Sequence, residues 1–310
     1  MFKKIILCLL YFPLLVNAVE KNGFVLSNTL IPTNEIHRGG PPKDGIPAIN
    51  QPQFITSQQA SFLSDDDRIL GVSLNGISKA YPIKILNWHE IVNDHFKHQA
   101  MVITFCPLCG TGTAFFSNID KTILTFGVSG LLYNSDVLLY DKQTESLWSQ
   151  IMNKAISGQN KGKSLTAHPI SHTSWKDWQT NHPNTLVLSN KTGFKRDYSK
   201  NPYSGYGQTS QTYFPVKNSS KLFHKKEWVL GVTINGQSKA YAFSELTKSS
   251  GQIKDNFANQ QLIINYNKKA KTASIMNSEN KQVVVTLQSY WFAWYAFHPK
   301  TEVYQFRSNN

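Results

Sequence analysis

Two cysteines three positions apart, Cys106-Pro107-Leu108-Cys109, followed at once by Gly110, are the residues of this chain best suited to chemistry. Two thiolates at that spacing on a tight turn can face one point, with backbone N–H groups to stabilise their charge. That is half of a tetrahedral zinc site, and with an imidazole added it also suits Cu(I). The same spacing serves disulfide exchange. Redox-active pairs, however, open a helix whose N-terminus lowers the pKa of the first cysteine. Here Gly110-Thr111-Gly112-Thr113-Ala114-Phe115-Phe116 follows, which reads as the second arm of a hairpin. The first reading is therefore a metal site, zinc or copper, with Cys106, Cys109 and His89 as ligands. The alternatives are a thiol–disulfide redox protein and a non-catalytic binder of envelope glycans. A fourth ligand could come from His37, His168, His172, Asp136 or water. The bland reading of His89 is a histidine hydrogen-bonded at the edge of the core. If one coordination position stays open, Glu90 and Asp136 are the weaker candidates for moving a proton. His89-Glu90-Ile91-Val92-Asn93 is not a zinc-protease motif, because Asn93 stands where a second histidine is required.

The chain also carries its own control. ILGVSLNGISKAY at Ile69 to Tyr81 returns as VLGVTINGQSKAY at Val229 to Tyr241, nine of thirteen positions being identical. The likeness continues to Phe105 and to Tyr266, so two copies of one supersecondary unit are expected at about 69–116 and 229–276. Where the first copy has Cys106-Pro107-Leu108-Cys109-Gly110, the second has Asn267-Lys268-Lys269-Ala270-Lys271. Where the first has Asn87-Trp88-His89-Glu90, the second has Thr247-Lys248-Ser249-Ser250. The unit thus tolerates plain residues at both places, and the cysteines and His89 are present or absent together.

The elements that must position these groups are mostly strands. Asn75-Gly76 and Asn235-Gly236 each predict a tight hairpin. Pro82 should open a helix over Ile83 to Val92, followed by strands at Met101–Phe105 and Thr111–Phe116. Further strands are expected at Ile123–Val128, Val137–Tyr140 and Val283–Leu287, and a short helix at Trp175–Asn181 capped by Ser174. The fold class is α+β and β-dominated, with two lobes related by the internal duplication. The expected division is 1–18 signal peptide, 19–220 first lobe with the Cys/His site, and 221–310 second, degenerate lobe, the two lobes able to pack as a single domain.

The first eighteen residues supply an address. Lys3 and Lys4 precede an apolar run, Ile5 to Val16, and Val16-Asn17-Ala18 has the small-residue spacing of a signal-peptidase site. The run is short of the roughly 20 residues of a spanning helix. A periplasmic or secreted protein cut after Ala18 is expected, with no transmembrane segment in the mature chain. Its net charge of +13 comes from 32 basic against 19 acidic residues, and only Arg38, Arg68, Arg196 and Arg307 are arginine. Nucleic-acid readers lean on arginine, so no nucleic acid is expected, while an anionic envelope component is a possible partner. The small-molecule substrate is left open.

Other patterns fail or have plain readings. Gly205-Tyr206-Gly207-Gln208-Thr209-Ser210 lacks the third glycine of a dinucleotide fingerprint, and Gly127-Val128-Ser129-Gly130-Leu131 is not a nucleophile elbow. Arg38 to Gly45 reads as a rigid surface turn, Arg196-Asp197 as a structural ion pair, and Trp291, Phe292, Trp294, Tyr295 and Phe297 as core or a sugar-stacking face. The segments GGPPKDGIPAI, KAYPIKILNWHEIVND, TFCPLCGTGTAF, FGVSGLLYNSDVLLYDKQTESLWSQ, HPNTLVLSNKTGFKRDY and WFAWYAFHPKTEVY cover nearly all of the chain after the leader. On these motifs the chain resembles a widespread family of exported bacterial proteins designated a domain of unknown function. The resemblance implies that the His89 and Cys106/Cys109 motifs belong together, but it implies no activity. The family often has Arg where this chain has Lys142, which weakens an anion-binding role there.

Overall fold

The computed structural model describes residues 19–307; the expected signal peptide, Met1 to Ala18, lies outside the described residues. Strand dominates: five sheets of three to five strands are set in a propeller-like ring, with two small two-stranded hairpins and short helices besides. The β-dominated expectation holds. The ring was not foreseen.

Three sheets matter for the site. The first is a hairpin, Arg68–Leu74 and Ile77–Pro82, flanked by Ser171–Ser174 and by Leu186–Leu188 with Phe54–Thr56. Asn75 and Gly76 turn it with φ of 53° and 77°, the left-handed pair that a two-residue hairpin demands. The second sheet runs Ile91–Phe96, Gln99–Cys106, Thr111–Phe116 and Ala167–His168, antiparallel throughout. The third centres on Phe126–Tyr133 and Asp136–Asp141, with Ile36–Arg38 on one side and Leu147–Ser149 on the other.

The helix after Pro82 is shorter than expected. It spans Ile83–His89 and stops because Glu90 turns left-handed, with φ of 57°. Ile91 and Val92 then pair with Thr104 and Ile103, where their branched side chains fit the pleat better than a helix. The helix Trp175–Asn181 is as expected, with the Ser174 hydroxyl accepting the Asp177 N–H at 3.3 Å. The strands expected at Ile123–Val128 and Val283–Leu287 instead run Phe126–Tyr133 and Thr286–Tyr290.

A second sheet of the first kind is built from Trp228–Ile234, Gln237–Ala242, Thr286–Tyr290 and Glu302–Val303. Its details follow the first closely. Trp178 covers Gly71 and Trp294 covers Gly231 so tightly that a Cβ on either glycine would meet the ring at 2.4 Å or 2.1 Å. Each tryptophan stacks on a histidine, His182 or His298, that hydrogen-bonds Ser78 or Ser238 at 3.1 Å. Lys79 with Tyr81 holds Asp94, as Lys239 with Tyr241 holds Asp255. No helix among the described residues is long and apolar enough to cross a membrane.

Candidate metal centre

Cys106 closes the strand Gln99–Cys106 and pairs in register with Thr111, so the intervening four residues form a hairpin tip, as the sequence predicts. Gly110 takes φ of 66° there, and a Cβ on it would lie 2.5 Å from the Trp228 ring. Only glycine fits. The tip is anchored from outside by the Tyr290 N–H, which donates to the Cys109 carbonyl at 2.9 Å.

Both cysteines are free thiols and buried. The Cys109 and Cys106 thiols face the Ser135 carbonyl at 3.3 and 3.8 Å. That carbonyl belongs to a two-residue turn, Asn134-Ser135, whose φ values of 51° and 66° are both left-handed. The turn joins Tyr133 to Asp136 and brings the Asp136 carboxylate to the sulfurs: the two Sγ atoms and one carboxylate oxygen all lie within 4.8 Å of one another. Beneath them sits a buried polar layer. Asp136 accepts from the Ile151 N–H at 3.2 Å, Thr111 donates to the Gln150 side chain at 2.6 Å, and Gln150 donates on to Thr104 at 2.6 Å.

The site is short of positive charge. Burial raises the Asp136 carboxyl to about 7 against the opposition of its hydrogen bonds. Burial, with the Asp136 charge adding, raises Glu90 to about 8. The Cys109 thiol is pushed well above its ordinary value by burial and by the adjoining Cys106 sulfur. Among the described residues the cation that acts on the pair is Lys226, itself lowered to about 8 by burial while Cys109 pulls the other way. Its ammonium lies 3.2 Å from the centre of the Tyr206 ring and donates to the Gln211 carbonyl at 3.0 Å. The hydroxyls of Tyr206 and Ser135, both buried beside the thiols, have no hydrogen-bond partner.

His89 does not join this group. Its Nδ1 bonds the Pro47 carbonyl at 2.8 Å and its Nε2 bonds the Tyr198 hydroxyl at 2.6 Å, with Phe194 and Tyr198 packed on the ring. Both nitrogens are occupied by protein, and burial lowers the pKa of the imidazole. It is the hydrogen-bonded histidine of the plainer reading, and Asp136 stands where an imidazole was expected. His37 lies on the strand Ile36–Arg38, His168 bonds the Ser73 carbonyl at 3.0 Å, and His172 packs between Phe105 and Trp228. Among the described residues no histidine completes the cluster.

Sequence reasoning also missed Tyr203, which lines one cavity with Glu90, and Tyr206 and Lys226. They come from an irregular stretch with no motif, and the only hint was the run of tyrosines around Gly205 and Gly207. The polar group at Asp141 is a turn: its carboxylate accepts from Thr144, Trp148 and Asn160. Arg196 lies over the Trp88 ring instead of pairing with Asp197, whose partner is Lys200. Trp291, Phe292 and Trp294 are buried core and offer no face for stacking a sugar.

No curated protein and no solved structure matches the chain. Residues 43–288, which include the hairpin tip, Asp136 and the tyrosine segment, match the family described as protein of unknown function (DUF3179), and the chain belongs to that family.

Proposed function

We propose that Cys106, Cys109 and Asp136 hold a single metal ion, with zinc the best fit. The observation that carries this reading is the convergence of two thiols and a carboxylate, from two different sheets, within 4.8 Å in a buried spot. Buried anionic groups need a partner of opposite charge, or they stay protonated at a cost. A divalent cation would relieve Asp136, Cys109 and Glu90 together. Tetrahedral zinc sets sulfur and oxygen ligands about 3.5–3.8 Å apart, a small contraction of the present group. Copper(I) is the weaker fit, because the carboxylate is a hard donor and the soft-ion set expected from an imidazole is missing.

Three protein ligands leave one tetrahedral position for water or a substrate, the arrangement of catalytic zinc sites. Glu90 would then be the group that holds or moves a proton beside it. Thiol–disulfide exchange has less support: an exchanging pair needs an exposed thiol of lowered pKa, and both sulfurs are buried with Cys109 shifted upward. The basic start and short apolar run support export with cleavage after Ala18, and the matched details of the two hairpin units support an internal duplication.

Native mass spectrometry of the reduced, untagged chain after zinc exchange tests the reading. One zinc per chain is expected, and none in a Cys106→Ser/Cys109→Ser variant. A wild-type chain that stays metal-free with reduced cysteines, or a double variant that keeps one equivalent, would overturn it.

A further inference from the structure

Beside the three-residue cluster lies a cavity of about 360 Å³. It shares a wall with the cluster, since Leu108 sits between the two cysteines and Val137 follows Asp136. The rest of the wall is largely apolar, from Ile46, Val128, Leu132 and Phe214 among others. The side chains that bring polar atoms are Glu90, Tyr203 and Tyr213. Among the described residues no lysine, arginine or histidine lines it. The volume falls at the lower end of the roughly 300–1,000 Å³ of small-molecule sites, which combine apolar walls with a few convergent polar groups.

Glu90 marks this cavity as built. A glutamate with φ of 57° gains nothing from the left-handed region, where Gly or Asn belongs, and such strain persists where the surroundings impose it. The distortion ends the helix at His89 and leaves a buried carboxyl, with Tyr203 on the same wall, lining an apolar chamber. Tyr213, 60% exposed, lines the same chamber and marks its side toward solvent.

We propose that this cavity binds a neutral small molecule with an apolar body and one hydrogen-bonding end, the end being held by Glu90 and Tyr203. An anion is disfavoured because it would be desolvated between apolar walls with no cation among the described lining residues. The inference goes beyond the metal reading, because the chamber and its two polar groups are formed by protein alone. Apolar cavities of this kind take up aromatic ligands readily.

The test is isothermal titration of the full chain with 2-naphthol and with its anionic counterpart 2-naphthoate, first in EDTA and then with zinc. Saturable binding of one 2-naphthol per chain is expected in both conditions, with 2-naphthoate at least tenfold weaker. Ile46→Trp and, separately, Phe214→Trp fill the chamber and should each weaken 2-naphthol at least tenfold with the urea midpoint kept. Two sites protect the test against one variant failing to fold. No saturable binding, equal binding of the two probes, or unchanged binding in both filled variants would overturn the proposal. Zinc bound without 2-naphthol sinks this inference alone; 2-naphthol bound without zinc sinks only the metal reading.

Discussion

Gly110→Ala is the sharpest perturbation of the hairpin tip, because its effect separates into two parts. The first is backbone: an alanine at φ of 66° costs about 1–2 kcal/mol. The second is steric: the added methyl would lie 2.5 and 2.8 Å from two atoms of the Trp228 ring, and packing restored at van der Waals distance needs a shift near about 1 Å. Overpacking of that kind costs about 1–3 kcal/mol, for a total of about 2–5 kcal/mol. Gly76→Ala supplies the control, since Gly76 has φ of 77° and nothing within 4 Å of its would-be Cβ. It should lose only the backbone part, about 1–2 kcal/mol. Urea unfolding of both variants, with a cycle through Trp228→Leu, reads the steric part as a coupling of about 1–3 kcal/mol. The Gly110→Ala chain should also hold zinc more weakly, because the displaced tip carries both sulfurs. Equal losses at the two glycines, or a coupling near zero, would refute the claim that Trp228 sets the tip.

Three further outcomes follow. Asp136→Asn should weaken zinc by about 100-fold or more while Asn280→Asp, at an exposed turn of another sheet, leaves it within about threefold, as read by competition with a chromophoric chelator. Lys79→Met strands Asp94, whose side chain is only 5% exposed, and should cost about 3–5 kcal/mol in urea unfolding, whereas Lys163→Met at the exposed pair with Asp120 should cost under about 1 kcal/mol. His298, lowered by burial to about 4 against Trp294, binds its proton more readily unfolded than folded. Stability is therefore lost as pH falls from about 6.5 toward 4, by at most about 3 kcal/mol from this group, and His298→Phe should flatten that part of the pH–stability curve.

What could be read from the sequence was local. The Asn-Gly hairpins and the Ser174-capped helix depend on a few adjacent residues, and each formed as expected. The hairpin after Cys109 was equally plain, since two glycines and a strand pattern cannot open a helix. The failures were non-local. Helical spacing continued past His89, but strand pairing of Ile91 and Val92 with Ile103 and Thr104 won, and the Glu90 turn sent His89 to Pro47 and Tyr198. Asp136 reaches the thiols only because the Asn134-Ser135 turn of another sheet meets the tip, which no spacing along the chain encodes. A ring of five sheets was out of reach for the same reason: strands of two to four residues at its edges carry too little pattern to be seen.

The two hairpin tips dock in a reciprocal way, and this says why only one of them carries chemistry. The tip at Cys106–Gly110 leans on the sheet of Trp228 and Tyr290, through the Tyr290 N–H to the Cys109 carbonyl. The tip at Asn267–Lys271 leans on the sheet of Arg68 and His172: Arg68 donates to the Ala270 and Lys271 carbonyls, and Thr272 donates to the His172 carbonyl at 2.8 Å. Arg68 and Trp228 are corresponding positions of the repeated segment. The difference is the third neighbour, because the first tip alone meets the turn that carries Ser135 and Asp136. The second tip meets a different carboxylate, Asp177, whose Oδ1 accepts from the Asn267 side chain at 2.9 Å, so two thiols placed there lack a completing carboxylate only when Asp177 is removed as well. An Asn267→Cys/Ala270→Cys/Asp177→Asn chain is expected to bind one zinc per molecule at low micromolar metal, as the parent does. Two equivalents of matched affinity would show that a cysteine pair suffices on any such hairpin and that Asp136 contributes nothing.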